Sequence, residues 1–148
     1  MDNWIQGRHS GKVMDIDIAY PSGPLGTPLQ QWDLIREQAN QRFTLDRLDD
    51  GYRRIRVAHT NMVLDVWQGS ADNGSPVVQW DWHGGDNQRF AVERVGNGLF
   101  RIRAKHSGRV LDVTGASNAV GARIIQWDWH GSDNQIWSFP QIIDDPDE

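Results

Sequence analysis

The chain has 148 residues, eight of them Trp and none Cys, with 38% hydrophobic and 24% charged positions. That length suits one compact domain burying roughly two thirds of its unfolded surface, and the lack of Cys excludes disulfides, thiolate catalysis and Cys-ligated zinc. Net charge is −5, but Asp144, Asp145, Asp147 and Glu148 crowd the last five residues; the rest is nearly neutral and holds only two Lys, which argues against nucleic acid.

From the amino terminus, MDNWIQGRHSGK is polar and lacks the apolar stretch of a secretory signal, and no window approaches the ~18 apolar residues of a membrane span. The compartment is left open. His9 precedes Asp15, which sits in the apolar triplet Met14-Asp15-Ile16. A Pro- and Gly-rich stretch, AYPSGPLGTP at 19–28, reads as a loop before Trp32, Asn40, Gln41 and Phe43. YRRIRVAH at 52–59 alternates apolar residues with Arg and predicts a strand, as does PVVQWDW at 76–82. Between them lie His59 and the triplet Leu64-Asp65-Val66, and Asn73-Gly74-Ser75, a glycosylation sequon that reads as a turn. In the last third, strands are predicted near 99–104, 109–113, 122–128 and 135–139, with His106 and Asp112 as before. From 141 onward the acidic end, with Pro146, reads as a solvated, disordered tail.

At an offset of 47 the chain repeats itself: QWDWHGGDNQ at 79–88 lies over QWDWHGSDNQ at 126–135, identical at nine of ten positions. Asn40, Gln41 and Phe43 fall onto Asn87, Gln88 and Phe90, then onto Asn134, Gln135 and Trp137. Three copies, about 1–49, 50–96 and 97–140, each start with His, five residues, then Asp. Four strands per copy make twelve. Three propeller blades would fall below the usual minimum of about four, so closure into one threefold barrel is expected: an all-β, β-trefoil domain.

The thrice-repeated Gln-x-aromatic, preceded by Asn and an early Asp, resembles the QxW signature of ricin B-type β-trefoil lectins, a family that includes carbohydrate-binding modules of glycoside hydrolases. The resemblance spans nearly the whole chain and implies sugar binding. A galactose-type sugar has one apolar C–H face and a rim of hydroxyls, so a shallow site needs an aromatic platform with acceptors and donors around it. By resemblance, Asp65 accepts from vicinal hydroxyls, Trp80 is the platform, Asn87 an amide donor, and Gln88 holds the Asp. Asp112, Trp127, Asn134 and Gln135 form the same set in the third copy. His83 and His130 fall where related modules place a sugar-contacting His. The first copy keeps Asp15, Trp32, Asn40 and Gln41 and adds Gln30 at a position of implied sugar contact. Its spacing differs, and Ile35 stands where His is expected. It is expected to bind more loosely.

The resemblance places the aromatic of QxW inside the barrel, so Phe43, Phe90 and Trp137 are expected in the core. Trp82 and Trp129 lie where many relatives carry one half of a Cys pair, the other half falling at Val63 and Val110, so a Val–Trp contact is expected instead. Alternation puts Trp80 and Trp82 on one side of a strand, so only the resemblance chooses the platform. His9, His59 and His106 read as hairpin-turn residues. No GxSxG elbow, phosphate loop, HExxH or metal-ligand spacing occurs, and only three Glu are present. The expectation is therefore a non-catalytic, cofactor-free lectin with up to three weak sites used multivalently, and the resemblance implies galactose- or N-acetylgalactosamine-containing glycans as its ligands. The alternatives are a xylan- or other polysaccharide-targeting module of a hydrolase or the receptor-binding part of a toxin. In a different class stands a β-trefoil protease inhibitor or protein ligand, whose natural site would be the 19–28 loop.

Overall fold

The computed structural model describes residues 2–142. Twelve short strands follow in order: β1 Gln6–Gly7, β2 Val13–Ile16, β3 Leu29–Trp32, β4 Phe43–Arg47, β5 Arg53–Val57, β6 Val63–Val66, β7 Val77–Trp80, β8 Phe90–Gly96, β9 Leu99–Ala104, β10 Val110–Val113, β11 Ile124–Trp127 and β12 Trp137–Ser138. Six of them close a barrel. β1 pairs β12, which pairs β9, then β8, β5 and β4, all antiparallel. The ring closes where Asn3, just ahead of β1, exchanges two backbone hydrogen bonds with Phe43 of β4, at 2.7 and 2.9 Å. Closure removes the exposed sheet edges that would otherwise invite pairing with another chain.

The other six strands form three hairpins, β2–β3, β6–β7 and β10–β11. Isolated bridges Pro28↔Val78, Pro76↔Ile125 and Gln30↔Arg123 link them in a circle over one end of the barrel. The alternation read in YRRIRVAH appears as a buried–half-buried–buried pattern along β5, with Arg53, Ile55 and Val57 inward. The outward Arg54 and Arg56 are paired with Asp46, and Arg101 and Arg103 with Glu93. Phe43, Phe90 and Trp137 are buried in one apolar cluster with Ile5, Leu64 and Leu111, as expected of the QxW aromatic. The last strand is shorter than predicted. Asp133–Gln135 winds as a 3-10 turn, as do Ala39–Gln41 and Asp86–Gln88, because each Gln must leave the ladder to aim its amide at a buried Asp.

The hairpin turns after β1, β5 and β9 carry Gly11, Asn61 and Gly108 at φ of 73°, 60° and 72°, the left-handed region that Gly and Asn tolerate best. His9, His59 and His106 occupy these turns. His9 and His106 also donate from Nε2 to the carbonyls of Ser117 and Ser70, each 2.7 Å away in the preceding copy around the circle. Gln141 and Ile142, placed in the tail by the sequence, belong to the fold: Gln141 Oε1 accepts from the Trp4 amide at 3.0 Å, and Ile142 packs on the core. The acidic residues 143–148 lie outside the described residues.

Candidate functional site

Each hairpin of the cap presents the middle of its first strand to a shallow cavity. Asp65 is the third residue of β6, among Val63, Leu64 and Val66, and is 4% exposed. A carboxylate buried this far requires donors. Gln88 Nε2 donates to its Oδ2 at 2.9 Å and Asn87 Nδ2 to its Oδ1 at 3.2 Å. Gln88 is held in turn, donating to Asp81 O at 2.8 Å and accepting from His83 N at 2.9 Å. Asn87 Nδ2 also donates to Val66 O at 3.1 Å, which occupies both amide hydrogens. The sequence reading of Asn87 as the donor to a ligand is thereby corrected: the group left to face the cavity is its carbonyl oxygen, an acceptor.

The imidazole of His83 brings a donor to the same cavity. His83 Nδ1 accepts from Gly85 N at 3.0 Å, so the hydrogen of the neutral ring is assigned to Nε2. That nitrogen stands 3.7 Å from Asp65 Oδ2, too far for a direct hydrogen bond and suited to a bridging hydroxyl that accepts from His and donates to Asp. Trp80 completes the wall of a cavity of about 400 Å³.

The third hairpin reproduces this arrangement. Asp112 accepts from Gln135 Nε2 at 2.8 Å and from Asn134 Nδ2 at 3.2 Å, and Asn134 also donates to Val113 O. His130 Nδ1 accepts from Ser132 N, which leaves Nε2 3.8 Å from Asp112 Oδ2. Trp127, 40% exposed, lines the cavity.

The first hairpin differs. Asp15 accepts from Gln41 at 2.9 Å and from Gln30 at 3.0 Å, while Asn40 donates to Ile16 O. Gln30 lines the cavity with Trp32, yet both ends of its amide are engaged, because Arg123 of the third copy donates to its Oε1 at 2.9 Å and to Asp17 at 3.0 Å. Ile35, exposed, replaces the imidazole donor. Burial pushes the carboxyls of Asp15, Asp65 and Asp112 above their ordinary pKa, with hydrogen bonds from the Gln side chains partly opposing it.

Which indole faces the cavity is decided by where the strands end. β7 and β11 stop at Trp80 and Trp127, so alternation does not extend to Trp82 and Trp129. Val63 and Val110 stand opposite Trp80 and Trp127 in the ladder. Trp82 lies within 5.4 Å of the guanidinium carbons of Arg54 and Arg89, and Trp129 within 5.0 Å of that of Arg101, cation–π contacts outside the cavities. The sequon residue Asn73 is tied down, donating to Asp128 Oδ2 and accepting from Arg109 and from Asp128 N. Among the described residues no cluster of three His, Cys, Asp or Glu could hold a metal.

Three features escaped sequence reasoning. The buried Gln31, Gln79 and Gln126, each just before a cavity-lining Trp, reach into the neighbouring copy to donate to carbonyls of Ser117 and Ala119, of Pro24, and of Ser70 and Asp72. Beside them, Gly121, Gly26 and Gly74 lie against the rims of Trp32, Trp80 and Trp127, where a Cβ would come within 3.7 Å of the ring. Their φ values of 83°, 80° and 90° require glycine independently. Gln at one offset before each Trp was a legible signal for the first. The third feature is Trp67, which lines the Asp65 cavity where the other copies have Asp17 and Thr114; its only mark in the sequence is that departure from the repeat.

The family model described as ricin-type beta-trefoil lectin domain-like matches residues 3–80, 39–127 and 86–147, which together span nearly the whole chain. The chain belongs to the ricin-type β-trefoil lectin family. Among solved structures, this lectin-family chain is similar to the designed threefold-symmetric protein ThreeFoil, at 36% identity and a TM-score of 0.88 over 93% of this chain and 96% of that one. It is also similar to part of an exo-β-1,3-galactanase from Clostridium thermocellum, at 28% identity and TM-score 0.83, where 93% of this chain covers 29% of the enzyme. The C-half of an earthworm R-type lectin, solved in complex with GalNAc, shares the ricin-type fold at 23% identity and TM-score 0.70, over 93% and 96% of the two chains. A search of curated protein sequences returned no match.

Proposed function

We propose that this chain is a non-catalytic carbohydrate-binding domain that takes galactose- or N-acetylgalactosamine-type sugars at the Asp65 and Asp112 sites, and more weakly at the Asp15 site. The observation that carries the reading is the repeated constellation of a buried carboxylate fixed by Gln and Asn, an imidazole Nε2 3.7 to 3.8 Å from it, and an accessible indole on the same cavity. A pyranose would lay its apolar face on Trp80 or Trp127, donate from one hydroxyl to the carboxylate while that oxygen accepts from His, and donate from the next to the remaining Asp or Asn oxygens. The Asp15 site lacks the donor and has its extra amide closed against Arg123. The galactanase and the GalNAc-bound lectin among the similar structures favour the same sugar class. Each site alone is expected to bind at about millimolar Kd, and engagement of branched glycans by several sites raises avidity without new contacts.

The test is a dense glycan array with free galactose and N-acetylgalactosamine as competitors, run beside Trp80→Ala/Trp127→Ala. Competition by both sugars, and loss of signal in a folded double variant, is the expected result. Binding to xylan alone, or binding untouched by the double substitution, overturns the reading. Three identical sites in isothermal titration would overturn the inequality of the Asp15 site.

Acid separates binding from folding. Because the three site carboxyls titrate above their ordinary value, they lose charge first as pH falls, and the cost of burying them ionised is relieved at the same time. Asp46, Asp50 and Glu93 are held low by their Arg and Lys partners, Asp50 at about 2, so the stability they contribute is lost only at lower pH. Titrating affinity and near-UV circular dichroism from pH 7 to 3 is therefore expected to show binding fading before the fold. Coincident loss would refute this assignment of the carboxylates.

A further inference from the structure

Trp67 breaks the threefold pattern at the one place where the break adds an aromatic surface to a sugar site. It follows Asp65 by two residues, opens the 3-10 turn Trp67–Gly69 and is 36% exposed. Its ring centroid is 5.8 Å from that of Trp80, with the two planes at 76°, so the indoles meet as a corner over Asp65, His83 and Asn87. Thr114 holds the same place in the Asp112 site, whose cavity is wider, about 530 against 400 Å³, with a single indole. Gly26, from the first copy, packs on both indoles: a Cβ there would lie 3.5 Å from Trp67 and 3.6 Å from Trp80, which fixes the corner from behind.

A galactose-type ring has one apolar face. Once that face lies on Trp80, a surface turned by 76° meets a different part of the ligand. An accessible indole suits the C–H groups of a second ring. We propose that Trp67 forms a second subsite in the Asp65 site, which therefore takes a two-ring glycan: a terminal galactose-type sugar on Trp80 and the ring it is linked to against Trp67. The subsite rests on the sugar-binding reading of Asp65 and makes this site the one that discriminates between glycans, while the Asp112 site reads the terminal ring.

The test isolates the site in the full chain. With Asp15 and Asp112 both changed to Ala, affinities for methyl β-galactoside, N-acetylgalactosamine, lactose and β-1,3-galactobiose are measured by isothermal titration with and without Trp67→Thr, with circular dichroism to check the fold. The expected result is a threefold to tenfold fall in the ratio of disaccharide to methyl galactoside affinity, for lactose or galactobiose. The reverse graft, Thr114→Trp in a chain with Asp15 and Asp65 changed to Ala, is expected to raise that ratio at the third site. An equal loss for one and two rings would make Trp67 a mere support for Trp80, and a loss confined to N-acetylgalactosamine would assign it to the acetamido group; either overturns the subsite. If no galactoside binds before Trp67 is changed, the sugar-binding reading itself fails, and the subsite falls with it.

Discussion

With Asp65 and Asp112 both replaced by Ala, glycan binding at these two sites is expected to fall by about 100-fold or more while the domain stays folded. Each carboxylate would accept at least two ligand hydroxyls, and hydrogen bonds to a charged group contribute roughly 1.5–3 kcal/mol each. Loss of two therefore approaches 3 kcal/mol per site, a factor above about 100. The fold survives for a reason visible in the hydrogen bonds. Gln88 and Gln135 keep their bonds to the carbonyls of Asp81 and Asp128, and Asn87 and Asn134 keep theirs to Val66 and Val113, so each amide stays anchored by one bond. The hydrogen that the carboxylate accepted is left to water entering the open cavity. The substitution also removes two carboxyls that burial makes costly to ionise. What remains is the Asp15 site, one weak contact without multivalent gain. Retained array binding with intact circular dichroism would remove Asp65 and Asp112 from the site; unfolding would show that the carboxylates serve structure.

The opposite outcome is expected of Trp137→Ala. Trp137 is 1% exposed, packs in the central cluster and donates from Nε1 to Leu111 O at 3.2 Å. Truncating a buried Trp typically costs about 3–5 kcal/mol, and a domain holds only about 5–15 in total. Chemical denaturation should show a midpoint shifted far down or no folded baseline at all. Trp127→Ala, removing an indole that is 40% exposed, is expected to move the midpoint little. A Trp137→Ala domain as stable as the parent would refute the core assignment. Two residues of one type, ten positions apart, thus carry separate properties: one stability, the other the proposed binding.

How much of this is legible in the sequence follows from what a repeat can encode. Asp65, Asn87 and Gln88 recur in register with Asp112, Asn134 and Gln135, and the structure brings each set together around one cavity. The QxW aromatics were legible through the resemblance, which places them inside the barrel, and they are buried there. Direction was not legible. Nothing in the order of residues says that the Asn87 amide spends both hydrogens inside the protein, or that Gly85 fixes the His83 tautomer, since both follow from a 3-10 turn whose carbonyls and amides must be located first. Contacts between copies were equally hidden. Arg123 reaches Gln30 and Asp17 across 93 and 106 positions, and only the circular order of the hairpins brings them together. The arginines on Trp82 were hidden too: the strand ends at Trp80, and beyond it Trp82 meets Arg54 and Arg89.

The circular exchange in the cap gives Gly26 to Trp80, Gly74 to Trp127 and Gly121 to Trp32, so no proposed site belongs to one copy. The backbone at each exchange is bonded as well, Gly26 N to Gln79 O, Gly74 N to Gln126 O and Gly121 N to Gln31 O, at 2.8 to 2.9 Å. Occupancy is therefore linked to the integrity of the whole ring. A sugar that needs two adjacent copies in place binds only the closed barrel, and at a concentration one hundred times Kd it adds about 2.7 kcal/mol to the unfolding free energy per occupied site. Melting temperature then becomes a gauge of how many sites are filled.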